Sequence, residues 1–398
     1  MTESRSPRVC VIGPGTRFLG GISYYTIHLV NALAQSYKMS VILMRRLLPT
    51  RLYPGWKRVG ANLTQLKFEE GIRVFDGIDW YWFPSMMCAL LRLVRERPQV
   101  VVFQWWSGTV LHSYLLLIVV ARLLIKAKVV IEFHEVLDTA EAKLAPVRSY
   151  VRLVAPLAVN QAHGFVIHSQ YDRQLLQEHY DLRGRPVALI PHGPYNHYVG
   201  DEPARREAPL SCCNLLFFGL IRPYKGLDDL IKAFDALSED ESSRYWLTIV
   251  GETWEGWTAP AELIAQSRYR NRITFVNRYV SDAEVAQFFA GADALILPYR
   301  RSSASGPLHI AMSCGLPIVA TRVGGLVEAL NGYGGAILVP PGDAAALRSA
   351  LLQVANLCGR RYADTHSWQH TISGYRTLFD AIEGLPAVRR AQRPLRIH

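Results

Sequence analysis

Residues 217–234 read FFGLIRPYKGLDDLIKAF. The apolar run from Leu215 to Phe218 has the density of a strand covered on both faces. Leu227, Leu230, Ile231, Phe234 and Leu237 then recur at the spacing of a helix packed along one side. The turn between them is flanked by Gly219 and Gly226 and carries Arg222 and Lys225. A helix N-terminus leaves amide groups unpaired and bears partial positive charge, so it already suits a phosphate. Arg222 adds a planar fork of donors and Lys225 a compact ammonium. Together they suit a diphosphate whose negative charge grows as a bond to it breaks, and stabilising such charge is commonly the largest catalytic contribution. A solvent-exposed turn with two ordinary cations would read the same way in isolation.

The same unit recurs along the chain. RVCVI (8–12), MSVIL (39–43), QVVVF (99–103), KVVIEF (128–133), GFVIH (164–168) and VALIP (187–191) read as strands. NLLFF (214–218), WLTIV (246–250), RITFV (272–276), ADALILP (292–298), PIVAT (317–321) and GAILV (335–339) continue the series. Continuous Val/Ile/Leu strands alternating with amphipathic stretches predict an α/β protein with parallel, doubly wound sheets. At roughly 100 to 200 residues per domain, 398 residues imply two. The charged, proline-bearing stretch GDEPARREAPLS (200–211) is the expected boundary, giving domains 1–200 and 201–370. Ligands of such sheets bind at the carboxyl ends of the strands, so the expected site is the cleft between the halves.

Two further segments are ready for an anion. VIGPGTRFLGGISYY places glycines at 13, 15, 20 and 21 after the first strand. The dinucleotide fingerprint fails there, because its third glycine would fall on Phe18. The loop reads instead as a flexible wall of the cleft, or as an ordinary strand–helix loop. In PYRRSSASGPLHIAMSCGLPIVATRVGGLVE (298–328), small residues precede a helix expected from about Pro307 to Cys314, and Ser305 and Gly306 sit at its N-terminal end.

The net charge of +11 is uneven. Residues 1–200 hold 23 Lys/Arg against 13 Asp/Glu, and residues 201–398 hold 21 against 20. The basic half implies an anionic partner such as a membrane surface or a phosphorylated acceptor, against the plain alternative of a solvated face. MRRLLPTRLYPGWKRVGANL (44–63) and WYWFPSMMCALLRLVRER (80–97) interleave basic and aromatic residues, as an interfacial segment on anionic lipid would. No nucleic-acid motif appears, so no nucleic-acid partner is expected. The six cysteines form no CxxC pair, and no His/Cys cluster shows ligand spacing along the sequence. They read as small apolar residues in a reducing compartment. The polar N-terminus MTESRSPR gives no expectation of a signal peptide. The apolar run Thr109–Ile125, interrupted by His112, Ser113 and Arg122, reads as a buried crossover helix.

FGLIRPYKG, RYVSDAEVAQFFAGADALILPYR, AMSCGLPIVATRVGG and GAILVPPGDAAAL, in this order and spacing, resemble the retaining glycosyltransferases of family four. The resemblance implies a GT-B fold, two Rossmann-like domains facing a central cleft, with a last helix of about 371–398 returning to the first domain. It implies a nucleotide-diphosphate sugar donor, no cofactor and no metal. Carried over residue by residue, Arg222 and Lys225 hold the donor diphosphate and act in catalysis with His134, which the family places near the transferred sugar. The loop at Gly20 and Gly21 closes over the diphosphate, and Ser305 and Gly306 offer amides to it. The backbone near Tyr279 and Val280 meets the nucleobase, while Glu135 and Ser302 lie by the donor sugar. His192, at a position more often asparagine, reads as structural. One departure stands out. Where the family carries two glutamates eight positions apart, this chain has Ser302 and Ile310.

The expected activity is retaining transfer of a sugar to a glycan or lipid-linked acceptor, in bacterial-type glycan or polysaccharide synthesis. The expected location is cytoplasmic, with peripheral contact to the inner face of the membrane. Two other readings share the architecture: a non-catalytic nucleotide-binding protein, and a sugar-nucleotide epimerase. The first would bind donor without turnover, and the second would alter donor without any acceptor.

Overall fold

The computed structural model describes residues 6–15, 21–46, 66–136, 145–200, 204–253 and 257–383. The first sheet contains β1 (Arg8–Pro14), β2 (Lys38–Arg46), β3 (Arg73–Asp79), β4 (Val100–Trp105), β5 (Lys128–Phe133), β6 (Gly164–Ile167) and β7 (Val187–Leu189). Their order is β3-β2-β1-β4-β5-β6-β7 and every pairing is parallel. The second sheet holds β8 (Cys213–Phe218), β9 (Tyr245–Val250), β10 (Ile273–Val276), β11 (Ala294–Leu297), β12 (Ile318–Thr321) and β13 (Ala336–Val339). It is ordered β10-β9-β8-β11-β12-β13, again parallel.

In each sheet the order reverses once, between β1 and β4 and between β8 and β11. A crevice opens at such a switch point, because the loops on its two sides lead away to opposite faces. The chain thus has two ligand-ready crevices. Buried side chains of both lobes, among them Val30, Tyr195, Tyr198, Val285 and Phe289, form one continuous apolar cluster.

The twelve strands read from sequence are all present, with ends shifted by up to three residues. β3 is an addition. Its sequence RVFDGID is exposed or half-buried through its first five residues, as suits an edge strand, and so lacks the apolar run that marked the others. The run Thr109–Ile125 forms a helix over Leu111–Val120 that ends in a wider turn, Ala121–Ile125, and connects β4 to β5. It is long and apolar enough to cross a membrane by length and composition, and less than half of it is buried. The expectation of a buried crossover holds for Leu111, Tyr114, Leu117 and Ile118, and fails for Leu123 and Leu124, which are exposed. All six cysteines are free thiols, with Sγ of Cys213 and Cys358 2.7 Å apart.

The last described helix, Trp368–Glu383, packs on β7 and on the helix Gly21–Ala34 of the first lobe. Tyr375, Leu378, Phe379 and Ile382 form its buried stripe. Gly374 lets it close on Ile190, and the Trp368 indole donates to the Pro194 carbonyl at 3.0 Å. Residues 384–398 of the helix expected from sequence lie outside the described residues.

Candidate active site

The quoted unit folds as strand, turn and helix. β8 runs into Gly219, whose φ of 115° is open to glycine and strained for other residues. A three-residue 3-10 turn, Pro223–Lys225, follows, and the helix Leu227–Asp235 starts at Gly226. The Lys225 ammonium donates to the Tyr299 hydroxyl at 3.1 Å and lies 4.8 Å from the centre of that ring. Asp228 and Asp229 occupy the first helical turn and pair with Arg300, at 2.6 and 2.9 Å. These carboxylates offset the positive end of the helix. The attraction for an anion therefore rests on Lys225 more than on the helix dipole.

Lys225 lines a cavity of about 330 Å³ between the lobes. Gly21, Tyr279, Val280, Ser302, Ser305 and Gly306 line it too. Arg222 does not; it is half-buried, in extended backbone (φ −131°) that caps the 3-10 turn. Of the two cations of the turn, Lys225 is the one that lines this cavity. Gly20 lies outside the described residues. Gly13 packs on the Gln104 side chain and Gly15 on the Met44 carbonyl, to which its amide also donates at 2.9 Å. Of the glycine loop, Gly21 is the residue seen at the cavity.

The helix Gly306–Ser313 begins where sequence placed it, one residue earlier at each end. Ser305 caps it, its hydroxyl accepting from the Leu308 amide at 3.4 Å. A side chain at Gly306 would meet no atom within 4 Å, so the space beside this helix end is open. Ile310, 5% exposed, forms part of the cavity wall where family members carry a glutamate.

An adjoining cavity of about 260 Å³ shares Gly21, Tyr195, Tyr224, Ser302, Ala304 and Gly306 with the first. His134, Glu135 and His192 line it. Burial pushes the His134 and His192 imidazoles well below their ordinary range, and neighbouring imidazoles add to the effect, so both are neutral near pH 7.

Several contributors escaped the sequence reading. The Tyr24 hydroxyl of the first lobe donates to Asp282 of the second at 2.5 Å, and Tyr198 donates to the same oxygen at 3.1 Å. Glu328 accepts from the amides of Gln170 and Tyr171, at 2.6 and 3.1 Å, at the start of the helix Gln170–His179. These contacts hold the lobes closed. His192, read as structural, instead faces two cavities. His134, His168 and His192 converge, although far apart in sequence. The signal was present: each histidine follows shortly after β5, β6 or β7, three neighbouring strands.

Residues 19–194 match the profile of Glycosyltransferase Family 4, and residues 212–356 that of Glycosyl transferases group 1. The chain is a family 4 glycosyltransferase. The D-inositol 3-phosphate glycosyltransferase of Geodermatophilus obscurus is 26% identical over 390 residues, covering 90% of this chain and 84% of that protein. The O-antigen chain mannosyltransferase B of Escherichia coli is 26% identical over 178 residues, 41% of this chain and 45% of that one. Among solved structures, sucrose-phosphate synthase from Thermosynechococcus elongatus superposes with a TM-score of 0.64 at 16% identity, covering 94% of this chain and 96% of the other. HepE of Anabaena in complex with UDP and glucose gives 0.62 at 17% identity, covering 94% of each chain. These neighbours share the GT-B fold. As a family 4 member, the chain is a nucleotide-sugar glycosyltransferase of glycan synthesis.

Proposed function

We propose that this glycosyltransferase moves a sugar from a nucleoside diphosphate to an acceptor hydroxyl with retention of anomeric configuration. The observation that carries the reading is the convergence of Lys225, the open helix end at Ser305 and Gly306, and the Tyr279–Val280 wall on one cavity. In this reading the nucleobase lies against Tyr279 and Val280. The diphosphate lies between Lys225 and the amides of the Gly306–Ser313 helix, with Gly21 on the wall beside it. The sugar extends into the adjoining cavity toward His134, Glu135 and Ser302. As the bond from the anomeric carbon to the diphosphate oxygen breaks, an acceptor oxygen bonds to that carbon from the same face. The acceptor's proton passes to the departing diphosphate. Lys225 stabilises the charge that appears, Arg222 adds to the field from beside the cavity, and closure of the lobes excludes water. No metal is assigned to this transfer step.

The apolar Ile310 cannot bond a ribose hydroxyl as a glutamate would, which favours donor contacts through Ser302 and backbone. It also gives the non-catalytic alternative its one support. A thermal-shift panel of uridine, guanosine and adenosine diphosphate sugars separates the readings. UDP-glucose heads it, because HepE has been solved with UDP-glucose. The correct donor at a hundredfold excess over its dissociation constant contributes about 2.7 kcal/mol, a shift of several degrees. Transfer to an acceptor should then give a product with the donor's anomeric configuration by NMR. Donor binding without turnover would support the non-catalytic reading, and altered free donor the epimerase.

The acceptor is read as glycan or lipid-linked, met at the cytoplasmic face of a membrane. Trp82, Phe83, Met87 and Leu91 are exposed at and along the helix Phe83–Glu96, which packs beside the turn carrying Leu123 and Leu124. Leu153 and Leu157 are exposed on the neighbouring helix Ala145–Val159, beside exposed Arg148 and Arg152. Apolar groups rimmed by cations suit an anionic bilayer surface. The segment 44–63 lies mostly outside the described residues. In a flotation assay the protein is expected to rise with anionic vesicles and stay behind with neutral ones, and Phe83→Glu with Leu91→Glu should abolish the effect. Equal behaviour with both vesicles would remove the membrane from the proposal.

A further inference from the structure

The geometry points to a binding site for a zinc-class divalent transition-metal ion formed by His134, His168, His192 and Glu132, at the carboxyl edge of β5, β6 and β7. One ring nitrogen from each histidine lies within 4.8 Å of the others. The three rings are almost fully buried. Five of their nitrogens, Nδ1 and Nε2 of His134 and His192 and Nε2 of His168, make no hydrogen bond among the described residues. A buried polar atom without a partner is costly, so five together in one place mark a site suited to a ligand.

The tautomer of His168 sharpens this. Its Nδ1 lies 2.8 Å from the Ile190 carbonyl, which can only accept, so Nδ1 carries the proton. In the neutral ring Nε2 then presents a lone pair, and it faces Oε1 of Glu132 at 3.5 Å. Nε2 of His134 faces the other carboxylate oxygen at 3.7 Å. Lone pair opposed to carboxylate is repulsive, and a metal ion or a proton between them removes the repulsion. One of those carboxylate oxygens has to turn toward both nitrogens to give the roughly 3.3 Å spacing of tetrahedral ligands around zinc, with bonds of about 2.0–2.1 Å. The ligand nitrogen of His192 lies within 4.8 Å of those of His134 and His168.

The surroundings fit. The Glu132 side chain is fully buried and oriented by two donors, the Tyr25 hydroxyl at 2.7 Å and the Gln104 amide at 3.1 Å. Such outer contacts are what fix a ligating carboxylate, as the Ile190 carbonyl fixes the His168 ring. Three imidazoles and one carboxylate select zinc and its neighbours over magnesium or calcium, which prefer all-oxygen sites. An ion has an approach, since His134 and His192 line one cavity and His168 and His192 another. Because His134 lines the cavity assigned to the sugar, a bound ion would fix that wall rather than serve the transfer step.

The test uses the full chain, stripped with chelator and then titrated with zinc or cobalt chloride. The expected result is one equivalent bound per chain by calorimetry and elemental analysis, with the visible absorption of four-coordinate Co(II). His168→Gln and His192→Gln should each weaken binding at least tenfold, while His179→Gln, at an exposed surface histidine, should not. X-ray absorption of the zinc-loaded wild type should count three imidazoles, a readout that stands even where a variant fails to fold. No metal retained above the buffer blank, a cobalt spectrum like that of the aquo ion, or unchanged binding in both variants would overturn the assignment.

Discussion

Replacing Lys225 with alanine is expected to lower kcat/KM for sugar transfer by roughly 10²- to 10³-fold, the range for removing one preorganised charge from a developing anion. Among the described residues the Lys225 ammonium hydrogen-bonds the Tyr299 hydroxyl and lies over that ring. Its loss should therefore leave thermal stability nearly unchanged, so the variant reports on chemistry and not on folding. Arg222→Ala should cost less, because Arg222 stands outside the cavity lining. Steady-state kinetics of both variants, with saturating acceptor, check the order. An Arg222 effect equal to or larger than that of Lys225 would mean that the guanidinium swings into the cleft when donor binds. Lys225→Arg should recover only part of the rate, since a planar fork cannot reproduce a compact ammonium above the Tyr299 ring.

Gly226→Val is expected to destabilise the fold by about 2–4 kcal/mol, from left-handed strain plus steric conflict. Gly226 has a φ of 66°, and a side chain there would run into the Pro298 carbonyl oxygen. That carbonyl lies just past the end of β11, so relief of the clash has to part the two loops that flank the second crevice. Denaturant titration should show the midpoint fall without a change in slope, and activity should be lost with it, because Gly226 follows Lys225 directly. Gly306→Ala is the informative contrast. An added methyl there meets no protein atom within 4 Å, so stability should hold while donor affinity drops. An unstable Gly306→Ala, or a Gly226→Val as stable as wild type, would show that these glycines were misread.

The fold was legible because doubly wound sheets write themselves locally. Each buried strand is a short apolar run and each crossover a periodic helix, so twelve strands could be found without knowing their neighbours. β3 could not, because an edge strand with Gly77 and two aspartates need not be apolar to be paired. Within the site, Lys225 was legible for the same local reason: strand, turn and helix lie together in sequence. Arg222 shows the limit. Three positions of spacing suggest a shared face, but extended backbone before a 3-10 turn gives the two side chains different surroundings. Contacts set by sheet order were further out of reach. Tyr24 meets Asp282, and His134 meets His168 and His192, only because strand order and lobe closure bring them there. Strand-end position carried part of that information, since residues just past the ends of neighbouring parallel strands share one rim.

The return of the helix Trp368–Glu383 to β7 and to the helix Gly21–Ala34 decides how this enzyme can be taken apart. The polypeptide visits the first lobe, then the second, then the first again, so the lobes are threaded together and not strung in series. A fragment ending near residue 200 would present bare sheet and helix where Tyr375, Leu378, Phe379 and Ile382 belong, and should aggregate. Supplying residues 360–383 as a separate peptide, or grafting them by circular permutation, is the route to an isolated N-terminal half.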